Sequence, residues 1–318
     1  MKFYTIRPEN KVRLDQLLRK ELPALINKEV SNSKLRRLIV AGAVNVNGKQ
    51  IRIPAYTVFA GSSVSVAVEE EKLFFEKQPD DIKYEVRAED VLFEDDSIIV
   101  LNKPSHFPTE AGMVDSRDNL HAALVRYLFE RQKIEHPNAK NPPYAGIMHR
   151  LDRDTSGVIL FTKKRDVNGA CHDMFENHRA KKEYIACVTS ASPKVSDLKA
   201  GKKFTVEFFM GRISPKGQAA KWGRLPKNKG GLSSNTDFEV LKKDGDKIFI
   251  RCSLYTGRTH QIRVHLSDSG LPLLGDELYG GKPFERIMLH AESLTFPHPV
   301  TKELIRVEAP LPENFKLY

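Results

Sequence analysis

Cysteine is scarce in this sequence: Cys171, Cys187 and Cys252 are the only three in 318 residues. They are odd in number, scattered, and lack the spacing of a metal site or a redox pair. A disulfide-stapled secreted fold is therefore excluded, and three buried, reduced thiols in a cytoplasmic protein are expected. Long apolar runs are missing too. Runs such as 98–101 are far too short to cross a bilayer, so no membrane partner is expected. The first residues, MKFYTIRPENK, are charged from the second position and contain no apolar signal core. No histidine pair has helical metal spacing, and Arg150 and Arg153 beside Asp152 and Asp154 would repel a cation. Neither GGKPFE nor KNKGG matches a phosphate-gripping glycine loop. No internal repeat is present.

Against these absences stands positive charge. The net charge is +10 and the pI about 9.3, a balance that concentrates a protein on polyanions, nucleic acid above all. With 40% hydrophobic and 29% charged residues the chain has the makeup of an ordinary folded protein, long enough for two domains. The charge is uneven. Residues 1–70 hold 12 Lys and Arg against 6 Asp and Glu, residues 71–96 hold 4 against 10, and residues 194–232 hold 10 against 2. Two basic segments carry the surplus, and an acidic connector follows the first.

The first seventy residues read as a small unit. Leu14, Leu17, Leu18 and Leu22 recur at helical spacing. Ser31 or Ser33 can cap a second helix with Leu35, Leu38 and Ile39 on one face and Lys34, Arg36 and Arg37 on the other. Asn47-Gly48 signals a tight hairpin, and SSVSVAV a closing strand. The basic face is either an RNA contact or a solvated helix surface. Beyond the connector, two apolar runs flank Glu94-Asp95-Asp96 as a hairpin, and a helix is expected near 119–131. The run VILF is a strand, a helix lies near 166–179, KKEYIACVTS is strand-like, and 194–234 reads as a long, partly mobile loop. Many short strands with few interleaved helices predict a mainly antiparallel α+β domain rather than a doubly wound one.

Three places can carry chemistry. In HRLDRDTSG (149–157), Asp152 sits between arginines just before an apolar strand. Desolvation would protonate such a carboxylate unless a cation compensates, and a compensated one is a poised nucleophile or base. In TGRTHQIRVHL (256–266), Arg258 and His260 lie in a polar turn. Ile262, Val264 and Leu266 then alternate with Arg263 and His265, the pattern of a strand. That strand either has a wetted face or projects Arg263 into a cleft. Tyr184 in KKEYIACV offers a ring for stacking a base, or is simply core. DRDTS is partly similar to the motif of haloacid-dehalogenase-type phosphotransferases, but no acidic pair follows downstream.

HRLDRDTSG, KKEY and TGRTHQIRVHL, in that order, together with IIVLNKP, GDELYGG and LHAESLTFPHP, resemble the RluA-type pseudouridine synthases over about 88–312. The unit in front resembles the αL RNA-binding motif of a ribosomal small-subunit protein. The chain departs from the family's pattern at SHFPTEAG, where a His-Pro is common, and in the basic insertion at about 194–234. The resemblance implies an αL-type domain over 1–70, an acidic linker over 71–87 and a catalytic domain over 88–318. It implies isomerisation of uridine to pseudouridine in ribosomal or transfer RNA, with no cofactor or metal; nothing in the sequence demands more than a monomer. Asp152 matches the reacting aspartate, Arg263 its basic partner, Tyr184 the stacking tyrosine, and Arg150 the residue that fills the gap left by the displaced uridine. Lys34, Arg36, Arg37, Arg258 and His260 are expected to touch RNA. An RNA chaperone using the same basic surfaces is the alternative.

Overall fold

The structure is a computed structural model that describes residues 2–69, 81–111, 118–189, 198–215 and 220–315, the side chain of Ser33 excepted. The chain divides into two compact units, one on residues 1–79 and one on residues 80–111, 118–214 and 220–318. Most of the acidic connector, 70–80, lies outside the described residues; residues 81–87 belong to the larger unit, where Val86 is buried.

The smaller unit runs β1 (Lys2–Ile6), β2 (Val12–Arg13), α1 (Leu14–Ile26), α2 (Asn32–Ala41), β3 (Val44–Val46), β4 (Lys49–Ile51), β5 (Thr57–Val58) and β6 (Val64–Val68). Leu14, Leu17, Leu18, Leu22 and Ile26 bury one face of α1. Of the two serines at the start of α2, Ser31 is the cap: its Oγ accepts the Lys34 N–H at 3.3 Å. Asn47 and Gly48, with φ of 50° and 81°, turn β3 into β4 so that Val46 faces Lys49, as the Asn-Gly pair dictates. Arg36 and Arg37 are exposed.

The larger unit contains β7 (Val91–Glu94), β8 (Ile98–Lys103), α3 (Leu120–Glu135), β9 (Gly146–Ile147), β10 (Ser156–Thr162), α4 (Asn168–Glu176), β11 (Lys181–Thr189), β12 (Lys203–Arg212), β13 (Trp222–Arg224), β14 (Leu232–Asp244), β15 (Lys247–Leu254), α5 (Gln261–Asp268), β16 (Leu289–Pro297) and β17 (Leu304–Glu308). Its eleven-stranded sheet has the order β13-β12-β14-β15-β11-β16-β10-β8-β7, with β17 on β16 and β9 on β10. Only the β10–β16 pair is parallel among these pairings, which is the mainly antiparallel α+β arrangement expected.

The unbroken apolar runs of β8 and β10 have a direct cause. Ile99, Leu101, Ile159 and Phe161 pack with Leu120 and Leu124 of α3. Ile98, Val100, Val158 and Leu160 pack with Cys171 and Met174 of α4. Both faces are covered, so no polar position alternates with the apolar ones. All three cysteines are buried free thiols.

Two expectations fail here. The segment QIRVHLSD is the helix α5, not a strand. Every residue from Gln261 to Leu266 is buried, so the outward positions that would reveal a helical period are apolar or paired, and the alternation is accidental. The Gln261 side chain fixes the helix start: its Oε1 accepts from Thr256 Oγ1 and Arg258 N, and its Nε2 donates to the Asn235 carbonyl. The supposed loop at 194–234 is largely sheet: β12 and β13 pair, and β12 runs antiparallel to β14. Lys203, Thr205 and Glu207 face outward from β12 with Phe204 and Val206 between them, a period of two hidden by the abundance of lysine and glycine. Residues 190–197 and 216–219 lie outside the described residues.

Two features hold the chain entering β10. Gly157 has φ of 112°, and a Cβ there would stand 2.1 Å from the Ala291 carbonyl oxygen, so only glycine permits the parallel contact with β16. The ammonium of Lys103, fully buried at the end of β8, donates to the carbonyls of Pro104, Arg153 and Thr155 at 2.9, 2.9 and 2.8 Å. Burial lowers its pKa to about 7, while the Asp154 and Asp152 charges pull the other way. Gly157→Ala is expected to abolish stable folding, seen as loss of the cooperative thermal transition. Lys103→Met leaves three carbonyls, that of Thr155 buried, without this donor and is expected to cost about 3 kcal/mol in denaturant unfolding; a variant as stable as the parent would show that this clamp does not hold the loop.

Candidate active site

The loop 148–155 carries Asp152 between β9 and β10. Beyond the Lys103 clamp it is tied by Thr109, whose Oγ1 donates to the Leu151 carbonyl at 2.8 Å and accepts the Leu151 N–H at 3.3 Å. The Thr155 N–H closes a turn on the Asp152 carbonyl at 3.1 Å. Leu151 is buried beneath, so the carboxylate of Asp152 is turned outward and keeps 28% of its surface exposed. It lines an open cleft of about 1010 Å³ with Tyr184, Arg258, His260 and Arg263. A second cavity of about 510 Å³, reached by Arg286 and Asp276, meets the same carboxylate.

Arg263 projects from α5 with 7% of its side chain exposed. Its Nη1 lies 3.7 Å from Asp152 Oδ2, an ion pair longer than a hydrogen bond. The short bonds go elsewhere: Nε and Nη2 reach the two oxygens of Asp276 at 2.7 and 2.8 Å, a bidentate fork with a carboxylate 1% exposed. Burial works against the Arg263 charge, but Asp276 and then Asp152 hold its pKa above the ordinary value.

His260 Nε2 stands 3.8 Å from Asp152 Oδ2. The Tyr279 hydroxyl accepts the Trp222 N–H at 3.0 Å and lies 2.8 Å from His260 Nδ1. Its own proton is thereby directed to Nδ1, and the imidazole proton falls on Nε2, facing Asp152. Burial pushes the His260 pKa below 6.5, Asp152 opposing and Arg263 adding to the push, so the ring is neutral at pH 7. Tyr184, on β11, is nearly enclosed but lines the cleft. Burial, with the charge of Asp152 second, raises its hydroxyl pKa, so it keeps its proton.

Asp152, Tyr184, Arg263, Arg258, His260 and Arg150 thus share one cleft. Arg150 is already engaged, its Nη1 donating to Glu110 at 2.7 Å. Lys34, Arg36 and Arg37 lie on α2, in the smaller unit. GDELYGG and IIVLNKP contain Asp276, Tyr279 and Lys103, whose roles no local sequence pattern assigns. Nothing in the chain pairs Asp276 with Arg263 before α5 is known to be a helix. Asp154 forms an ion pair with Arg153, and its Oδ1 lies 3.1 Å from His106 Nδ1.

Comparison with known proteins shows the family of the chain. The family model of RNA pseudouridylate synthases matches residues 97–268. The chain is 33% identical to the ribosomal large subunit pseudouridine synthase C of Escherichia coli, over 96% of this chain and 91% of that one. It is 30% identical to the ribosomal large subunit pseudouridine synthase D of Pasteurella multocida, over 95% and 89%. Among solved structures it is similar to human RNA pseudouridylate synthase domain containing 1, with a TM-score of 0.53 and 25% identity over 70% of this chain and 83% of that one. Human RNA pseudouridylate synthase domain containing 4 shares the fold, with a TM-score of 0.54 and 21% identity over 71% and 90%. The family model covers more than half of the chain, and the two bacterial synthases match it along nearly its whole length, so this protein is a member of the RNA pseudouridylate synthase family.

Proposed function

We propose that this RNA pseudouridine synthase acts on ribosomal RNA of the large subunit, with Asp152 as the reacting carboxylate and Arg263, Tyr184 and His260 around it. The large-subunit names of its relatives support the choice of RNA. The carrying observation is that Asp152 is the carboxylate that meets both a buried arginine, at 3.7 Å, and an open cleft beside a tyrosine.

In the reaction the bond from uracil nitrogen to ribose breaks and a bond from carbon 5 to ribose forms. Carbon 5 gives up a proton and the ring nitrogen gains one. Attack on the ribose, attack on the uracil ring and removal of a sugar proton all need an anionic, accessible carboxylate. The target must first leave its stack, which costs a few kcal/mol. Phosphate contacts from the basic surfaces, among them Lys34, Arg36 and Arg37, offset that cost. The Tyr184 ring receives the base, and its retained proton makes the hydroxyl a donor. His260 presents an N–H to Asp152 and orients it without adding charge. Arg150 exchanges Glu110 for the space that the everted uridine vacates. The enzyme works as a monomer in the cytoplasm, a compartment that suits three free thiols.

Asp152→Asn should remove pseudouridine from large-subunit ribosomal RNA, read by carbodiimide-dependent primer extension in cells carrying the variant as their sole copy. Unchanged modification would refute the assignment. The pH profile of single turnover tests His260. Its lowered pKa predicts a rate that falls on acidification with a midpoint below pH 6.5, as the ring takes a second proton and Nδ1 can no longer accept from Tyr279. A midpoint at or above 6.5 would contradict a buried, neutral imidazole.

A further inference from the structure

The cleft contains five lysines and arginines, and three of them have a carboxylate: Arg150 with Glu110, Arg153 with Asp81, Arg263 with Asp276. The other two, Lys182 and Arg258, form no ion pair with any described carboxylate. They are close enough to repel: burial first, and then the Arg258 charge, push the Lys182 pKa below its ordinary value. The acid next in sequence does not help. Glu183 points to the opposite face of β11, where Arg306, Lys181 and Ser293 engage it at 2.8, 2.9 and 3.1 Å.

Lys182 stands two residues before Tyr184, so both project from one face of β11 about 7 Å apart along the strand. Gly257 makes room for the ammonium: a Cβ there would lie 3.1 Å from Lys182 Nζ. The Phe175 ring lies below, its centroid 6.0 Å from Nζ, with the His149 ring 4.7 Å from that of Phe175. The Leu160 N–H donates to His149 Nε2 at 3.0 Å, which leaves the imidazole proton on Nδ1. Burial, and the Lys182 charge after it, lower the His149 pKa to about 3, so the ring remains a neutral donor.

Two cations with no ion pair to a described carboxylate and a fixed N–H donor, one strand repeat from the tyrosine, form a seat for an anion with several oxygens, with Glu110 and Glu176 on the same cleft lining. We propose that Lys182, Arg258 and His149 bind a phosphodiester of the RNA strand adjacent to the everted uridine. This rests on the reading of the cleft as the uridine site. It adds to that reading a contact to the backbone that sets where the nucleotide sits relative to Asp152.

The test is RNA binding by the full chain as a function of salt, using unmodified large-subunit ribosomal RNA made by transcription. Lys182→Met and Arg258→Gln should each weaken binding about tenfold at moderate salt and make the slope of log affinity against log salt shallower by about 0.7–0.9, one phosphate contact each. Lys182→Arg should keep the parent slope. Free of RNA, Lys182→Met should melt roughly 2–4 °C higher than the parent, because an unpaired, desolvated cation has gone. Parent-like slopes in both Lys182→Met and Arg258→Gln would overturn the proposal. Binding is read without turnover. An Asp152→Asn protein that still formed pseudouridine would therefore overturn the assignment of the carboxylate and leave the slope result standing.

Discussion

The active cleft depends on a buried fork between Asp276 and Arg263. A guanidinium on α5 with so little exposure is costly to desolvate, and it is tolerated because two bonds of 2.7 and 2.8 Å fix it to a carboxylate as deeply buried as itself. With both ends held, the remaining Nη1 presents its charge to Asp152 at 3.7 Å without freedom to swing away. Preorganisation of this kind is worth more than a shorter bond on a mobile side chain, since a misplacement of about 1 Å can cost a hundredfold in rate. Removing one member of such a pair leaves the other charged and buried, at about 3–5 kcal/mol.

The loop bearing Asp152 is positioned by polar contacts that a side-chain list alone would not reveal. Lys103 gathers three backbone carbonyls, Thr109 holds Leu151 from both sides, and Gly157 lets the chain leave the loop against Ala291. The Tyr279 hydroxyl fixes the tautomer of His260. Each contact narrows the position of Asp152, so the carboxylate is both exposed to the cleft and unable to wander from the arginine.

Much of this was legible in the sequence, and the exceptions share a physical reason. Local signals survived folding: Asn47-Gly48 turns as it must, and the runs flanking Glu94-Asp95-Asp96 pair as β7 and β8. The antiparallel character of the larger unit follows from its many short strands with hairpin signals and few interleaved helices. Patterns that depend on which face is wet did not survive. Helix α5 is buried all round, so its residues mimic a strand's alternation. Strand β12 carries outward lysine, threonine and glutamate, a composition shared with loops. Arg263 was expected to serve Asp152 directly; its closer partner, thirteen residues on, is set by tertiary structure, which no local pattern encodes. Lys103 stands at the end of β8, and its ammonium binds the carbonyls of a loop fifty residues away, a contact that no local pattern encodes.

The central claim is that a guanidinium held rigid by Asp276 makes Asp152 competent. Asp276→Asn keeps the shape of that side chain and removes its charge, so Arg263 loses its anchor while Asp152 is untouched. The direct measurement is the single-turnover rate of pseudouridine formation at saturating enzyme, alongside the dissociation constant for the same RNA. The account predicts a rate at least about a hundredfold lower with RNA affinity within a factor of about two of the parent. A folded Asp276→Asn protein that isomerises uridine at the parent rate would contradict it.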